Sequence, residues 1–242
     1  MSVRAAFSAV FSVLVYCSFL LVFLYAIGFV EDWVVPKTID SGEGSGLIAS
    51  LLIDAALLSV FAVQHSTMAR PGFKRLWTRV IPVEIERSTY VLFATAALAL
   101  VCWQWRPVQQ LVWSVPGSAA TQLLQGISCL GWSIVLFSTF MISHFQLFGL
   151  RQGFAGIAGR SAPEATFTTP MLYRYLRHPI YAGFIIAFWA TPRMTLGHLE
   201  FAVATTGYIF IGIWFEERDL IAQFGERYRR YRESVGMLVP RI

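Results

Sequence analysis

Phe7 to Val30 reads FSAVFSVLVYCSFLLVFLYAIGFV, 24 residues without one Asp, Glu, Lys, Arg or His. About 20 apolar residues cross a hydrocarbon core roughly 30 Å thick, so this run predicts a membrane-spanning helix. It exceeds the roughly 7 to 15 apolar residues of a cleavable signal and meets no small-residue cleavage site before Glu31, which predicts a retained span. The rest of the chain agrees. Of 242 residues 56% are apolar and 14% charged, and the mean hydropathy is +0.60, where a soluble domain carries about a quarter charged residues.

Further runs predict spans over Leu47–Val63, Tyr90–Trp105 and Leu123–Ile142. Ile180–Phe215 holds 36 residues, about 54 Å as one helix, so it predicts a hairpin turning around Pro192–His198. Thr168-Thr169-Pro170 reads as a helix start with Pro at the first helical position, predicting a first arm from near Pro170 to Thr191 with Pro179 as a kink inside it. Charge assigns the sides. Glu31, Asp32, Asp40 and Glu43 outnumber Lys37 after the first span, whereas Arg70, Lys74, Arg75, Arg79 and Arg87 crowd the next connection. Arg151, Arg160, Arg174, Arg177, and after the hairpin Arg218, Arg227, Arg229, Arg230 and Arg232, fall on that same side, which the positive-inside rule makes cytoplasmic. The expected fold is all-α: a polytopic transmembrane helical bundle, one integral-membrane domain over residues 1–242. Its spans lie in 1–150, and a helical hairpin with a cytoplasmic C-terminal helix lies in 170–242.

Composition also excludes. No basic stripe with interleaved aromatics suggests nucleic acid; the partners expected are the lipid bilayer and a small molecule. Cys17, Cys102 and Cys129 lie apart inside apolar runs with no CxxC pair, and are expected to be packing residues. No His pair at i, i+3 or i+4 with an acid at ligand spacing suggests a metal. Asp54 shares a helical stripe with Leu58, Phe61 and His65, so it should face the protein interior and bond a neighbouring helix. His198 should be a loop residue on the outer face.

Chemistry concentrates near the C-terminus. Tyr173-Arg174-Tyr175-Leu176-Arg177-His178-Pro179-Ile180-Tyr181-Ala182-Gly183 is followed by Glu216-Glu217 and by Phe224-Gly225-Glu226-Arg227-Tyr228-Arg229-Arg230-Tyr231. A hairpin between the first two would bring a His, several tyrosine rings, two carboxylates and a Gly open to a ligand to one rim of the bundle. The bland reading of the last passage is an interfacial anchor, arginines on anionic lipid and tyrosines at headgroup depth. Ile221, Phe224, Tyr228, Tyr231 and Val235 recur at helical spacing and predict a packed stripe.

Three motifs in this order resemble the membrane methyltransferases of the isoprenylcysteine carboxyl methyltransferase type, whose pattern is Arg-His-Pro-x-Tyr-x-Gly, a hairpin, Glu-Glu, and Phe-Gly-x-x-Tyr-x-x-Tyr. The upstream passages Gln64-His65-Ser66-x-Met68-Ala69-Arg70, Trp77-Thr78-Arg79, Glu86-Arg87-Ser88-Thr89-Tyr90 and Ser143-His144-Phe145-x-Leu147-Phe148-Gly149-Leu150-Arg151-Gln152 narrow the resemblance to bacterial methanethiol S-methyltransferases. Those enzymes turn methanethiol into dimethyl sulfide.

The resemblance implies S-adenosylmethionine as methyl donor, held by His178, Pro179, Tyr181, Gly183, Glu216 and Glu217 at the cytoplasmic face of a bacterial inner membrane. A ligand with a sulfonium, an ammonium, a ribose diol and a carboxylate wants aromatic faces such as Tyr173, carboxylates, and an arginine fork from Arg151 or Arg177. His144 or His65 is the candidate base for the thiol, and Trp77, Trp189 and Trp214 are candidate walls for a small substrate. Two rivals stand beside this reading: a carboxyl methyltransferase acting on prenylated cysteine, and a non-catalytic transporter or assembly factor whose histidines and Asp54 line a path.

Overall fold

The computed structural model describes residues 2–159 and 167–241, so Arg160, counted above among the cytoplasmic charges, lies outside the described residues. Among the described residues five helices are long and apolar enough to cross a membrane: α1 (Val3–Glu31), α2 (Leu47–Ala69), α4 (Val83–Gln104), α5 (Ser118–Ile142) and α9 (Leu196–Phe224). Between and after them come the short α3 (Pro71–Trp77), α6 (His144–Leu147), α7 (Leu150–Ala155), α8 (Pro179–Trp189) and α10 (Glu226–Ser234). The fold is all-α, as expected. α1, α2, α4 and α5 each extend several residues beyond the apolar run at one end or the other.

Contacts divide the described residues into two compact units, 2–108 with 143–159 and 109–142 with 167–241. One unit holds α1 to α4 with α6 and α7; the other holds α5, α8, α9 and α10. α5, from the stretch expected to hold the N-terminal spans, packs on α8.

In the first unit α1 and α2 both lie against α4, and α7 reaches α1 and α4. Small residues make that approach close. A Cβ on Gly149 would stand 2.5 Å from the Ser88 hydroxyl, and one on Gly153 would meet Ser12, while Ser12 and Ser88 share a hydrogen bond of 2.8 Å. Gly149-x-x-x-Gly153 is thus a small-residue helix interface of the kind membrane proteins use where apolar burial drives nothing. Asp54, fully buried, accepts the backbone N–H of Arg106 at 2.8 Å just beyond the end of α4, the inward bond its stripe predicted.

In the second unit α8 is pressed onto α5. A Cβ on Gly183 would stand 2.7 Å from the Gly131 carbonyl, Ser128 donates to the Ala187 carbonyl at 3.1 Å, and Trp132 meets Phe184 and Phe188 edge-on. The hairpin turn is more ordered than a loop: β2 (Arg193–Thr195) pairs antiparallel with β1 (Leu111–Ser114), Trp113 opposite Met194. His198 is no loop residue. It is buried in the first turn of α9, its N–H bonded to the Thr195 hydroxyl at 3.1 Å and its ring to the Phe188 carbonyl at 3.0 Å.

Two expectations about the hairpin are corrected. Pro170 opens only a 3₁₀ turn, Met171–Arg174, and the helix begins at Pro179. The reason is steric, since Pro disfavours α geometry in the residue before it and His178 is accordingly non-helical. The first arm then has 11 residues, about 16 Å, too short to cross a bilayer alone. The second arm runs on to Phe224, so Glu216 and Glu217 lie within a helix rather than after one. The cysteines also differ: Cys102 is buried, but Cys17 and Cys129 are exposed on their helices.

Candidate functional site

The second unit gathers the C-terminal motifs into one cluster. After α10 the chain turns back so that Gly236 bridges to Leu176, and the backbone N–H groups of Arg177 and His178 donate to the carbonyls of Gly236 and Met237 at 2.8 and 3.2 Å. The turn is set by Gly225 between α9 and α10, whose φ of +56° suits a residue without Cβ. The expected stripe therefore bends at this glycine: Tyr228 and Val235 are buried, and Tyr231 donates to the Tyr173 carbonyl at 2.5 Å.

Arg177 spends its donors inside the protein. Its Nε bonds Glu217 Oε1 at 2.7 Å, and its Nη1 reaches the carbonyls of Arg232 and Val235 at 3.0 and 2.5 Å. Buried His178 meets the same Glu217 oxygen through Nε2 at 3.2 Å and lies 3.7 Å from Glu216 Oε2 through Nδ1. The two glutamates are thereby distinguished. Glu217 has an 11% exposed side chain and three basic side chains within 4 Å, those of Arg177, His178 and Arg232; Glu216 has a 43% exposed side chain and His178 alone within that range among the described residues. Tyr181 lies against the His178 ring at 5.6 Å between centroids.

The tyrosines are firmly neutral. Burial, reinforced by the nearby Glu216 charge, raises the Tyr173 phenol, burial and the Glu217 and Glu216 carboxylates raise Tyr228, and burial pushes Tyr231 up to about 12. At neutral pH each presents an O–H and an uncharged aromatic face. Phe167 extends that surface over Phe224, Tyr228 and Tyr231 and carries the Arg227 guanidinium 5.2 Å above its ring.

Some predicted residues do other things. Gly183 does not open to a ligand, because the Gly131 backbone fills the space beside it. Pro179 is buried as the first residue of α8. Trp189, a full α8 length from His178, ties α8 to α9 by donating to the Thr206 hydroxyl at 2.9 Å. Trp214, 59% exposed, borders a cleft with Glu217, Arg218, Ile221 and Arg232.

The first unit carries the other predicted residues in two His–Tyr pairs. His144 is buried and hydrogen-bonded through Nε2 to the Tyr16 hydroxyl at 2.7 Å; burial pulls its pKa below the ordinary imidazole value, so the ring is neutral at pH 7. His65 is hydrogen-bonded to the Tyr90 hydroxyl at 2.9 Å, and the Arg87 guanidinium sits 4.7 Å above the Tyr90 ring. Phe148 joins the pairs: its ring is 4.8 Å from that of His144, and it packs against the core cluster of Val15, Met68, Tyr90 and Val91. Trp77 packs on the same cluster with its indole N–H buried and without a hydrogen-bond partner among the described residues. Arg151 lies exposed on α7, turned away from the glycine face. Sequence reasoning missed Tyr16, which sits inside an unbroken apolar run; only the tertiary contact with His144 singles it out.

Known proteins agree with the motif reading over nearly the whole chain. The methanethiol S-methyltransferase of Mycobacterium tuberculosis is 53% identical over 225 residues, covering 93% of this chain and 92% of that one. Methanethiol S-methyltransferase 2 of Bradyrhizobium diazoefficiens is 51% identical, covering 96% and 89%, and the enzyme of that name from Crocosphaera subtropica is 47% identical, covering 98% and 92%. No family model matches, and no solved structure does.

Proposed function

The chain belongs to the methanethiol S-methyltransferases, and from that premise we propose that it methylates methanethiol to dimethyl sulfide with S-adenosylmethionine as donor. The observation that carries the donor assignment is the unequal pair of glutamates, one carboxylate locked by Arg177 and His178 and its neighbour half exposed beside a buried imidazole and a tyrosine ring. Glu216 is suited to accept hydrogen bonds from an ammonium or a ribose diol, and Tyr181 offers an aromatic face to a sulfonium. Arg177 is a clamp within the protein rather than a fork for the donor's carboxylate.

When bound, S-adenosylmethionine supplies a methyl group on a sulfonium that is already a good leaving group. The chain's own residues must orient the acceptor sulfur, exclude water and take the thiol proton. His144 fits the last task. Its Nε2 shares a hydrogen bond of 2.7 Å with the Tyr16 hydroxyl, and burial holds its pKa below the ordinary imidazole value, so it is the neutral ring, the form able to take up a proton, that stands there at pH 7. The new S–C bond forms as the sulfonium S–C bond breaks, its electron pair stays on the donor sulfur, and the thiol proton ends on the base. The basic connections support a cytoplasmic site in an inner membrane.

Calorimetric titration of the detergent-purified chain with S-adenosylmethionine, followed by headspace detection of dimethyl sulfide from methanethiol, tests the proposal. Binding together with product formation is expected. Absence of donor binding overturns the donor assignment, and donor binding with methylation of prenylcysteine in place of methanethiol overturns the substrate.

A further inference from the structure

The exposed face of α9 ends in a cleft that shares Glu217 and Arg232 with the cluster around His178 and adds Trp214, Arg218 and Ile221. Val203, Phe210, Ile211 and Trp214 are exposed in one stripe down this helix, and Gly207 between them has open space where a side chain would stand. The stripe leads into a cleft of about 200 Å³ bordered by Trp214, Ile221, Arg218, Arg232 and Glu217. Its apolar part belongs to α9, a helix long and apolar enough to cross a membrane. Its charged part begins one turn further along α9, at Glu217 and Arg218.

The charge there is positive. Among the described residues Glu217 is the one acid on the cleft wall, and one of its oxygens is held by Arg177 at 2.7 Å, leaving Arg232 only a long contact of 3.7 Å with the other. Arg232 is half exposed, and Arg218 rests over the Trp214 ring at 5.8 Å. Two guanidinium groups thus stand at one mouth, with an indole whose amphipathic ring suits the membrane interface. A soluble anion would use the arginines and leave the stripe bare; a zwitterionic lipid would bring its own cation to a mouth that already holds two. We propose that this cleft binds an anionic phospholipid of the surrounding leaflet, its phosphate forked by Arg218 and Arg232 and an acyl chain lying along Val203 to Trp214 across the gap at Gly207.

Native mass spectrometry of the detergent-purified full chain, titrated with phosphatidylglycerol and with phosphatidylcholine of the same acyl composition, tests this. Phosphatidylglycerol is expected to bind preferentially. The double variant R218A/R232A should lose about ten-fold or more of that affinity, as removal of two interfacial arginines implies, while phosphatidylcholine binding stays as it was. Saturating S-adenosylhomocysteine should not displace the lipid. Equal retention of the two lipids by the wild-type chain overturns the proposal without any variant, and so does a helical double variant with unchanged preference. Competitive displacement by S-adenosylhomocysteine also overturns it and gives the cleft to the donor. Gly207→Leu, which fills the track without touching charge, should weaken phosphatidylglycerol binding as well; wild-type affinity in that variant refutes the acyl position.

Discussion

Arg177 Nε and Glu217 Oε1 meet at 2.7 Å, and the same guanidinium holds the carbonyls of Arg232 and Val235 at the end of α10. One side chain therefore neutralises a largely buried carboxylate and pins the last helix to the His178 segment. A residue whose sequence context suggested a ligand fork is, in the folded protein, a tie between two passages 40 or more residues apart.

Replacing Arg177 with Ala should be costly, because it strands the Glu217 charge among buried groups, a loss of about 3 kcal/mol or more for a broken buried pair. Arg177→Lys should recover little, since one ammonium cannot reach three acceptors set around a planar fork. Thermal unfolding in detergent measures the loss, and proteolysis at α10 reads its release. Equal melting temperatures for wild type and Arg177→Ala would remove the clamp from the account.

The two glutamates should separate cleanly. Glu216→Ala is expected to abolish most donor affinity with the melting temperature nearly unchanged, whereas Glu217→Ala should lower the melting temperature by freeing Arg177, His178 and α10. Calorimetry with S-adenosylmethionine beside a melting curve reads both. A Glu216 variant with wild-type affinity contradicts its role at the donor.

His144 sets a pH expectation. Burial lowers its pKa in the folded state below the roughly 6.5 of a free imidazole, so the neutral base persists on acidification past that value. Turnover limited by His144 should hold down to about pH 6.5 and fall only below it. The same shift makes the unfolded chain the first to take up the proton, so this residue's contribution to stability is complete above about pH 6.5 and declines as the pH drops below it. His144→Ala should cut turnover with donor affinity intact, and Tyr16→Phe should lower kcat more than KM and reshape the acidic limb. If both variants keep the wild-type profile from pH 6 to 9, the thiol is deprotonated without this pair.

Gly183→Ala should destabilise by about 1–3 kcal/mol. The added carbon would stand 2.7 Å from the Gly131 carbonyl and 3.0 Å from the Val135 N–H, backbone that cannot swing aside. If the effect is packing, the melting temperature falls while donor affinity in the folded fraction is retained. Lost affinity at an unchanged melting temperature would return Gly183 to the ligand.

Much of this protein is written in its sequence by itself. Helices must satisfy their own backbone bonds inside lipid, so Phe7–Val30 and the runs like it specify membrane helices with no help from their neighbours, and the Arg-His-Pro, Glu-Glu and Phe-Gly motifs mark the passages that meet. Asp54 was legible for the same reason, because a buried acid has to find a donor. What each motif residue touches was decided by tertiary structure alone. Gly183 against Gly131, Arg177 between Glu217 and α10, His198 under Phe188, and Tyr16 on His144 are contacts between residues 10 to 128 positions apart. Period and composition report which face of a helix is apolar, but a hydrogen-bond partner or a backbone approach is a distance in space, and only packing one helix on another fixes it.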